Sequence, residues 1–275
     1  MEVSKRDILE TIKYFELSHK PLCIHSSFRS FGGVEGGPST IISSFLEEGC
    51  TLLVPTFSYS FSAYPPNGNP YPRNGWWTDA TSEMEKNREP MAFSPDSQDI
   101  DADMGIIPKF IVNGHRRVRG RHPLDSFSAI GPLASELVAG QDAMNIYAPL
   151  NMLLSLDGFI VLMGVGLDKL TFVHLAEQVA GRNLFRRWAW GENHKIVETQ
   201  VGGCSDGFVH LEKFVSPLIR TKKIGLSTWK VLPVKATLEA LVNAIRENPN
   251  ITHCENPQCG RCNDAVMGGP ILRSN

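Results

Sequence analysis

The sequence has no long hydrophobic run, and this absence excludes an integral membrane protein with spanning helices. The longest apolar stretch, 159–165, falls far short of the roughly 20 residues that a spanning helix needs. The first ten residues, MEVSKRDILE, are charged and lack the apolar core of a signal peptide. We therefore expect a cytoplasmic protein without a membrane partner.

An excess of one charge is also missing. The 27 basic residues are balanced by 29 acidic ones, which leaves a formal net charge of −2. A protein that binds the phosphates of nucleic acids normally carries a basic excess, so no nucleic-acid partner is expected. Hydrophobic residues make up 42% of the 275 residues, which is enough for a packed core and excludes bulk disorder.

The order of helical and apolar segments indicates the fold class. Helical periodicity predicts helices that include 4–18, 38–48, 206–218 and 234–247, and short apolar runs predict strands at 21–25, 50–55 and 159–165. A strand, a glycine-rich loop, a helix and a second strand follow one another from residue 21, which is typical of an α/β layer fold. A weaker alternation at 184–201 is compatible with a hairpin.

One segment interrupts this order. Residues 58–100 contain six prolines and several aromatic residues, including Trp76 and Trp77. A connection of this length is unusual in a compact domain, so it is either a functional loop or lid, or a surface insertion.

The Ser/Gly loop at 25–37, HSSFRSFGGVEGG, lies between a predicted strand and a predicted helix. Backbone amides in such a loop, followed by a helix N-terminus, form an anion cradle, and Ser26, Ser27 and Ser30 add hydroxyl donors. The spacing matches neither of the common nucleotide-binding motifs, so a purely structural turn is an equal alternative.

A basic stretch at 116–122 is a second candidate anion site. Four arginines at positions 116, 117, 119 and 121 precede His122, and the serines Ser126 and Ser128 follow. Guanidinium groups bind phosphates well, but a solvated basic face has the same pattern.

The segment Thr171-Phe-Val-His174-Leu-Ala-Glu177 follows the most apolar strand and its glycine turn. Thr171 fits an N-cap, which places His174 in the first helical turn, where the helix dipole favours a neutral imidazole. Neutral imidazole is the form that a general base needs, and Glu177 lies on the same helix face. The alternative is a structural histidine at a helix start.

Four of the six cysteines are candidates for a metal site. Cys259 and Cys262 have the C-x2-C spacing that is common in zinc sites, and Cys204 with either His253 or Cys254 would complete four ligands. A tail with unused thiols is the alternative.

The segments HSSFRSFGGVEGG, CTLLVPTFS, RHPLDSFSAIGP, GFIVLMGVG and TFVHLAE occur in that order. Together they resemble the aminoglycoside 3-N-acetyltransferase family, whose fold is distinct from that of the GNAT acetyltransferases. The resemblance implies an α/β fold with a layered mixed sheet flanked by helices. It also implies one domain over 1–275, with the 58–100 insertion and a looser, smaller C-terminal subdomain at 184–275.

The resemblance further implies acetyl-CoA-dependent transfer to an amine of an aminoglycoside or a related small amine, by a monomer or homodimer. His174 would be the general base, Thr171 would lie at the thioester, and Glu177 would complete the catalytic set. The residues expected to bind CoA are Ser26, Ser27, Phe28, Arg29, Ser30, Gly32, Gly33, Val34, His122, Ser126 and Ser128. For a structural Zn²⁺, the resemblance favours His253 over Cys254, beside Cys204, Cys259 and Cys262.

Two other functions remain open from the residues alone. His174 and Glu177 on one helix face are also compatible with a metal-dependent hydrolase. The cysteine-bearing tail is compatible with a non-enzymatic zinc-knuckle module that binds a CoA-like ligand.

Overall fold

The computed structural model describes residues 2–68, 70–75 and 89–272. Trp76 and Trp77 of the 58–100 insertion lie outside the described residues. The two ends of that insertion pack on the protein, because Phe61 and Phe93 are buried and meet edge to face with ring centroids 5.3 Å apart. Whether the insertion is a lid stays a prediction.

Within the described residues, ten strands form two sheets: β1 Pro21–Ser26, β2 Thr51–Pro55, β3 Ser62–Ala63, β4 Val118–Arg119, β5 Phe127–Ile130, β6 Phe159–Met163, β7 Phe185–Trp190, β8 Ile196–Val201, β9 Arg220–Ile224 and β10 Ser227–Pro233. The larger sheet has the order β4-β5-β2-β1-β6-β10-β9. Its three central strands, β2, β1 and β6, are parallel, and the outer strands pair antiparallel. The mixed sheet implied by the family resemblance is thus confirmed.

The α-helices among the described residues are α1 Lys5–Tyr14, α2 Pro38–Glu47, α3 Ile106–Val112, α4 Ala134–Val138, α5 Ala148–Ser155, α6 Phe172–Val179, α7 Glu212–Val215, α8 Val234–Glu247 and α9 Gly260–Val266. The first begins with a capping box between Ser4 and Asp7. In the parts of the chain that the structure describes, no helix combines the length and apolar character that crossing a membrane requires.

The predicted helix at 206–218 is instead three short pieces. A 3-10 helix, Asp206–Leu211, runs into α7, and a second 3-10 turn, Ser216–Leu218, follows. Pro217 lacks a backbone N–H and prevents a longer α-helix here.

Helices cover both faces of the large sheet. On one face Ile8 of α1, Ile41 of α2 and Ile107 of α3 belong to one buried cluster with Leu22 of β1. On the other face, the helices α5, α6 and α8 contribute Leu150, Phe172 and Leu241 to a second cluster, which also includes Cys23 of β1. Alternate residues of β1 therefore face opposite layers, as expected for a strand buried on both sides.

The C-terminal part, 184–275, differs from the expected looser subdomain. Strands β7 and β8 form the predicted hairpin and, with β3, a separate three-stranded antiparallel sheet. However, β10 pairs with β6, and β9 pairs with β10, so both complete the large sheet. The described part of this stretch, 184–272, therefore contributes strands to both sheets.

Candidate active site

A cleft of about 790 Å³ opens at the carboxyl ends of the parallel strands. In the register of the sheet, Ser26 at the end of β1 lies opposite Met163 at the end of β6. Ligands of open α/β sheets bind at this edge, and the volume suits a cofactor-sized molecule. Its lining includes Ser26, Ser27, Phe28 and Arg29, which follow β1, and the segment 100–106.

The second half of the Ser/Gly loop does not line this cleft in the described structure, in contrast to the prediction for Ser30, Gly32, Gly33 and Val34. Ser30 donates a hydrogen bond to the carbonyl of Ser27 at 2.6 Å and another to the Ser227 hydroxyl at 2.8 Å. Its hydroxyl therefore fastens the loop to β10.

The N-terminal segment accounts for the rest of this half-loop. The backbone N–H of Val3 donates to the Gly33 carbonyl at 2.9 Å, and Val3 and Val34 form a parallel bridge. Gly32 has φ +77°, and a Cβ built there would lie 2.8 Å from the Leu226 side chain. These residues thus hold neighbouring backbone, which explains their distance from the cleft.

His122, Ser126 and Ser128 are also buried rather than exposed to the cleft, each with no accessible surface. His122 Nδ1 accepts from the N–H of Asp125 at 2.8 Å, and Nε2 donates to the Gln200 carbonyl at 2.7 Å. Burial lowers the pKa of His122 to about 4, which keeps this ring neutral. These three residues organise the turn before β5, and their contact with CoA stays a prediction.

The basic stretch is largely structural as well. Buried Arg119 donates to the Ser126 hydroxyl at 2.8 Å and to the carbonyls of Thr56 and Ser97. Exposed Arg121 pairs with Glu192 at 2.6 Å. Guanidinium groups in this stretch therefore tie loops together.

Thr171, His174 and Glu177 occupy the start of α6, as predicted. Thr171 lines the cleft, although its side chain does not cap the helix. His174 is only 8% exposed, and its Nδ1 donates to Glu177 Oε2 at 2.8 Å. This bond fixes the ring orientation, while His174 itself is not among the residues that line the cleft.

Arg182 holds the other side of Glu177. Its Nη1 donates to Glu177 Oε1 and also to the Thr252 hydroxyl at 2.7 Å, while Nη2 donates to the Pro249 carbonyl at 2.5 Å. Glu177, Arg182 and Thr252 are all buried. Both oxygens of the Glu177 carboxylate thus have a partner, so the carboxylate cannot rotate away from His174.

The ring of His174 is enclosed by residues from distant segments. Phe208 meets it edge to face with centroids 4.7 Å apart. A Cβ built on Gly202 would lie 2.8 Å from His174 Cδ2 and 2.9 Å from the Tyr147 hydroxyl, so only glycine allows this approach.

Asp125 brings a buried carboxyl close to His174. Burial is the main cause that raises the pKa of Asp125 to about 7, while His174, the Tyr59 hydroxyl and the N–H of Gly202 act in the opposite direction. Among the described residues, none gives a hydrogen bond to Asp125 Oδ1. The site therefore contains a buried carboxyl whose pKa is raised.

A family model described as aminoglycoside 3-N-acetyltransferase matches residues 23–245, which is most of the chain. The chain belongs to the aminoglycoside 3-N-acetyltransferase family. The family resemblance read from the motifs is confirmed.

Curated relatives carry the same family name. The chain is 32% identical over 163 residues to aminoglycoside N(3)-acetyltransferase IX of Micromonospora chalcea, which covers 57% of this chain and 54% of that protein. It is 31% identical over 165 residues to aminoglycoside N(3)-acetyltransferase VII of Streptomyces paromomycinus, covering 57% and 53%. These matches span about half the length of the curated relatives.

Solved structures of this family share the fold over nearly the whole chain. The aminoglycoside acetyltransferase AAC(3)-IVa apoenzyme superposes with a TM-score of 0.76 at 20% identity, covering 98% of both chains. A histidine-to-alanine mutant of AAC(3)-IVa in complex with a gentamicin gives 0.74 at 20% identity, again covering 98% of both. AAC-IIIb in a binary complex with CoASH gives 0.72 at 19% identity, covering 90% of this chain and 97% of that one.

In this member of the family, four cysteines converge near the tail. The thiols of Cys204, Cys254, Cys259 and Cys262 all lie within 4.8 Å of one another. The prediction of His253 as the fourth ligand differs from this arrangement. Its Nε2 donates to Asn263 Oδ1 at 2.9 Å, and its Nδ1 lies against the Cys254 carbonyl.

The geometry gives no support to a metal-dependent hydrolase. Over residues 2–68, 70–75 and 89–272, a convergence of three or more His, Cys, Asp or Glu side chains is found only at the four cysteines. Glu177 is instead hydrogen-bonded to Arg182. His174 and Glu177 thus form a buried, hydrogen-bonded pair.

Several residues of the site were missed by sequence reasoning. Asp125 lies inside the quoted motif RHPLDSFSAIGP, and His25 opens HSSF and lines the cleft, so both were within reach. Burial lowers the pKa of His25 to about 4. Arg182 lies only five residues after Glu177, whereas Thr252 carries no sequence signal, because only the folded chain brings it to Arg182.

Proposed function

We propose that this protein transfers the acetyl group of acetyl-CoA to an amine of an aminoglycoside. The observation that carries the proposal is the His174–Glu177 pair at the start of α6, beside a cofactor-sized cleft at the carboxyl ends of three parallel strands. Family membership and the names of the curated relatives support the same reaction.

His174 acts as the general base. An alkylamine is largely an ammonium ion at neutral pH and must lose a proton before it can attack a thioester. Nε2 of His174 takes that proton while Nδ1–H donates to Glu177. The carboxylate holds the productive tautomer and stabilises the imidazolium that forms, in the manner of other base–carboxylate pairs.

The start of α6 stabilises the developing oxyanion. Thr171 lines the cleft and offers a hydroxyl donor to the oxyanion, whereas the N–H groups of Val173 and His174 already donate to the carbonyls of Leu170 and Thr171. The amine nitrogen bonds to the carbonyl carbon, the C–S bond breaks, and CoA leaves as a thiolate that takes up a proton. No covalent enzyme intermediate is needed, and Cys23 and Cys50 are fully buried away from such a role.

The aminoglycoside acceptor is supported by the family and by the names of the curated relatives. The cleft lining carries charges of both signs, with Asp101 and Asp103 beside Arg29, Lys109 and Lys169. Asp125 adds a buried carboxyl near His174.

A thiol-release assay with acetyl-CoA tests the proposal, using a panel of aminoglycosides and a matched panel of simple monoamines. We expect release with at least one aminoglycoside and little with the monoamines. Release with monoamines alone would overturn the acceptor assignment. If no amine releases CoA, acetyl transfer itself is wrong.

We also propose that Cys204, Cys254, Cys259 and Cys262 hold a structural Zn²⁺. Four thiolates around Zn²⁺ at about 2.3 Å lie roughly 3.8 Å apart, which the observed cluster reaches with small side-chain adjustments. A four-coordinate site of this kind has no open position for catalysis. A reducing, cytoplasmic location, expected from the sequence, would keep the thiols available.

Elemental analysis of protein purified without chelator tests the zinc site, with a Cys262→Ser variant as the comparison. We expect about one zinc ion per chain in the wild type and a loss in the variant. Absence of zinc from the wild-type protein would remove this proposal.

A further inference from the structure

We infer that the four-cysteine metal site positions the catalytic histidine, so that the metal controls turnover from outside the cleft. The four-cysteine site is Cys204, Cys254, Cys259 and Cys262. It is connected to His174 by a polar arm, which leads through Thr252, and by an apolar arm, which leads through Phe208. The inference rests on the proposed acetyl transfer and assigns a positioning role to residues that touch no substrate.

The polar arm begins at Cys254. Two residues before it, Thr252 ends the 3-10 helix Pro249–Thr252, which Asn248 caps by accepting from the Asn250 N–H. The Thr252 hydroxyl and the Pro249 carbonyl both accept from Arg182. Arg182 in turn holds the Glu177 oxygen that does not contact His174. A displacement of this short helix therefore moves the partner of the catalytic base.

The apolar arm begins at Cys204. The 3-10 helix Asp206–Leu211 starts two residues later and carries Phe208, whose ring packs against His174. On the other side of Cys204, Gly202 approaches the same imidazole so closely that a Cβ would collide with it. Residues on both sides of Cys204 thus pack against the imidazole of His174.

The two arms also contact each other. A Cβ built on Gly207 would lie 2.4 Å from the carbonyl oxygens of both Thr252 and His253. This approach places the Cys204 segment directly on the Cys254 segment. One metal ion bonded to both segments would clamp them together at the point where they reach His174.

Without the metal, the four thiols themselves hold the two segments together only weakly. The contacts among the four thiols are weak sulfur interactions, such as the Cys254 N–H donating to Cys262 Sγ at 3.4 Å. A closed tetrathiolate site instead ties positions 204 and 254–262 through four bonds. Metal removal should therefore loosen both arms at once, while the wall formed by Ser26–Arg29 keeps its contacts.

The experiment compares the zinc-loaded enzyme, the same enzyme after a high-affinity chelator, and the chelated enzyme after Zn²⁺ is restored. Three quantities are measured: kcat and KM for acetyl-CoA, the affinity for CoA by calorimetry, and the ¹⁵N NMR signals of the His174 imidazole. The NMR signals report the tautomer and the Nδ1–H bond to Glu177 directly, without any turnover.

We expect chelation to lower kcat by about tenfold or more, to change CoA affinity by less than about twofold, and to replace one imidazole tautomer by a mixture. Restored Zn²⁺ should reverse all three. Unchanged NMR signals and kcat after verified metal loss would overturn the inference. An enzyme without activity towards any amine but with zinc-dependent NMR signals would refute the proposed reaction and leave the coupling intact.

Variants at Thr252 separate positioning from a general loss of stability. Thr252→Ser keeps the hydroxyl that Arg182 donates to, whereas Thr252→Val removes it with little change of shape. We expect Thr252→Val to lower kcat by about fivefold to tenfold at unchanged KM, and Thr252→Ser to restore it. The effect of chelation should then be smaller in Thr252→Val than in the wild type. Fully independent effects would refute the polar arm.

Discussion

Two parts of the candidate site are built in different ways. The cleft segment Ser26–Arg29 is a continuous run that directly follows β1. The surroundings of the His174–Glu177 pair are assembled from segments far apart in the chain, including Asp125, Gly202 and Thr252. Under the proposed reaction, CoA binding would depend on one local loop, whereas turnover would depend on the packing of distant segments.

The sharpest test of this division is His174→Ala. We expect turnover to fall by about 10²–10⁴-fold, because the general base is lost, with CoA affinity unchanged. Steady-state kinetics and calorimetry measure the two effects separately. His210 is an exposed histidine on the Asp206–Leu211 helix. The variant His210→Ala is therefore the matched control and should retain turnover. Near-normal turnover of a folded His174→Ala would contradict the assignment.

The variant Asp125→Asn tests the carboxyl near His174 through its effect on the free energy of unfolding. The pKa of Asp125 is about 7 when folded, against 3.8 for the free side chain, mainly because of burial. As pH rises, the unfolded chain therefore loses this proton first. The carboxyl thus lowers the free energy of unfolding progressively as the pH rises from the unfolded pKa to the folded pKa. The loss of stability is complete once the pH is above the folded pKa.

The Asn variant lacks this penalty. The free energy of unfolding of Asp125→Asn relative to wild type should therefore increase between pH 4 and pH 8, by up to about 4 kcal/mol. Denaturant unfolding at several pH values measures it, with the exposed Asp96→Asn as control. A difference that does not vary with pH would contradict the raised pKa of Asp125.

A comparison of the variants Ser27→Trp and Gly33→Ala tests the segment Ser26–Arg29. Ser27 lines the cleft, so an indole there should weaken CoA binding by about tenfold or more. A Cβ on Gly33 would meet only the flexible Glu2 side chain, at 2.9 Å, so CoA affinity should stay within about twofold. Calorimetry with CoA measures both. Equal loss in the two variants would show that the whole loop binds the cofactor.

The smallest effect is expected at Arg121. This side chain is 62% exposed and pairs with Glu192 outside the cleft. Arg121→Ala should therefore change the free energy of unfolding by less than about 1 kcal/mol and leave CoA affinity unchanged. A clear loss of CoA affinity would instead show that the basic stretch at 116–122 takes part in CoA binding.

The sequence predicts best what short spacing determines. The interval from Thr171 to Glu177 is less than two helical turns, so the contact between His174 and Glu177 follows once a helix begins there. The three parallel strands likewise follow from apolar runs interrupted by a glycine-rich loop. Thr252 and Phe208 reach this site only through tertiary packing, which no local pattern encodes.

The choice between His253 and Cys254 shows a second limit. These neighbours lie in extended backbone, with φ −69° and ψ 132° at His253, and adjacent side chains there point in different directions. Spacing from Cys259 alone cannot tell which of them faces the other thiols. Only the placement of the Pro249–Thr252 helix turns Cys254 inward.

Direct acyl transfer at His174 is the central claim, and product analysis tests it most directly. The enzyme is mixed with isotope-labelled acetyl-CoA and an aminoglycoside, and both protein and small molecules are examined by mass spectrometry. We predict label on one amine of the aminoglycoside in the wild type, almost none with His174→Ala, and no labelled protein at any time. Label on the protein before the aminoglycoside, or label released only as acetate, would contradict the account.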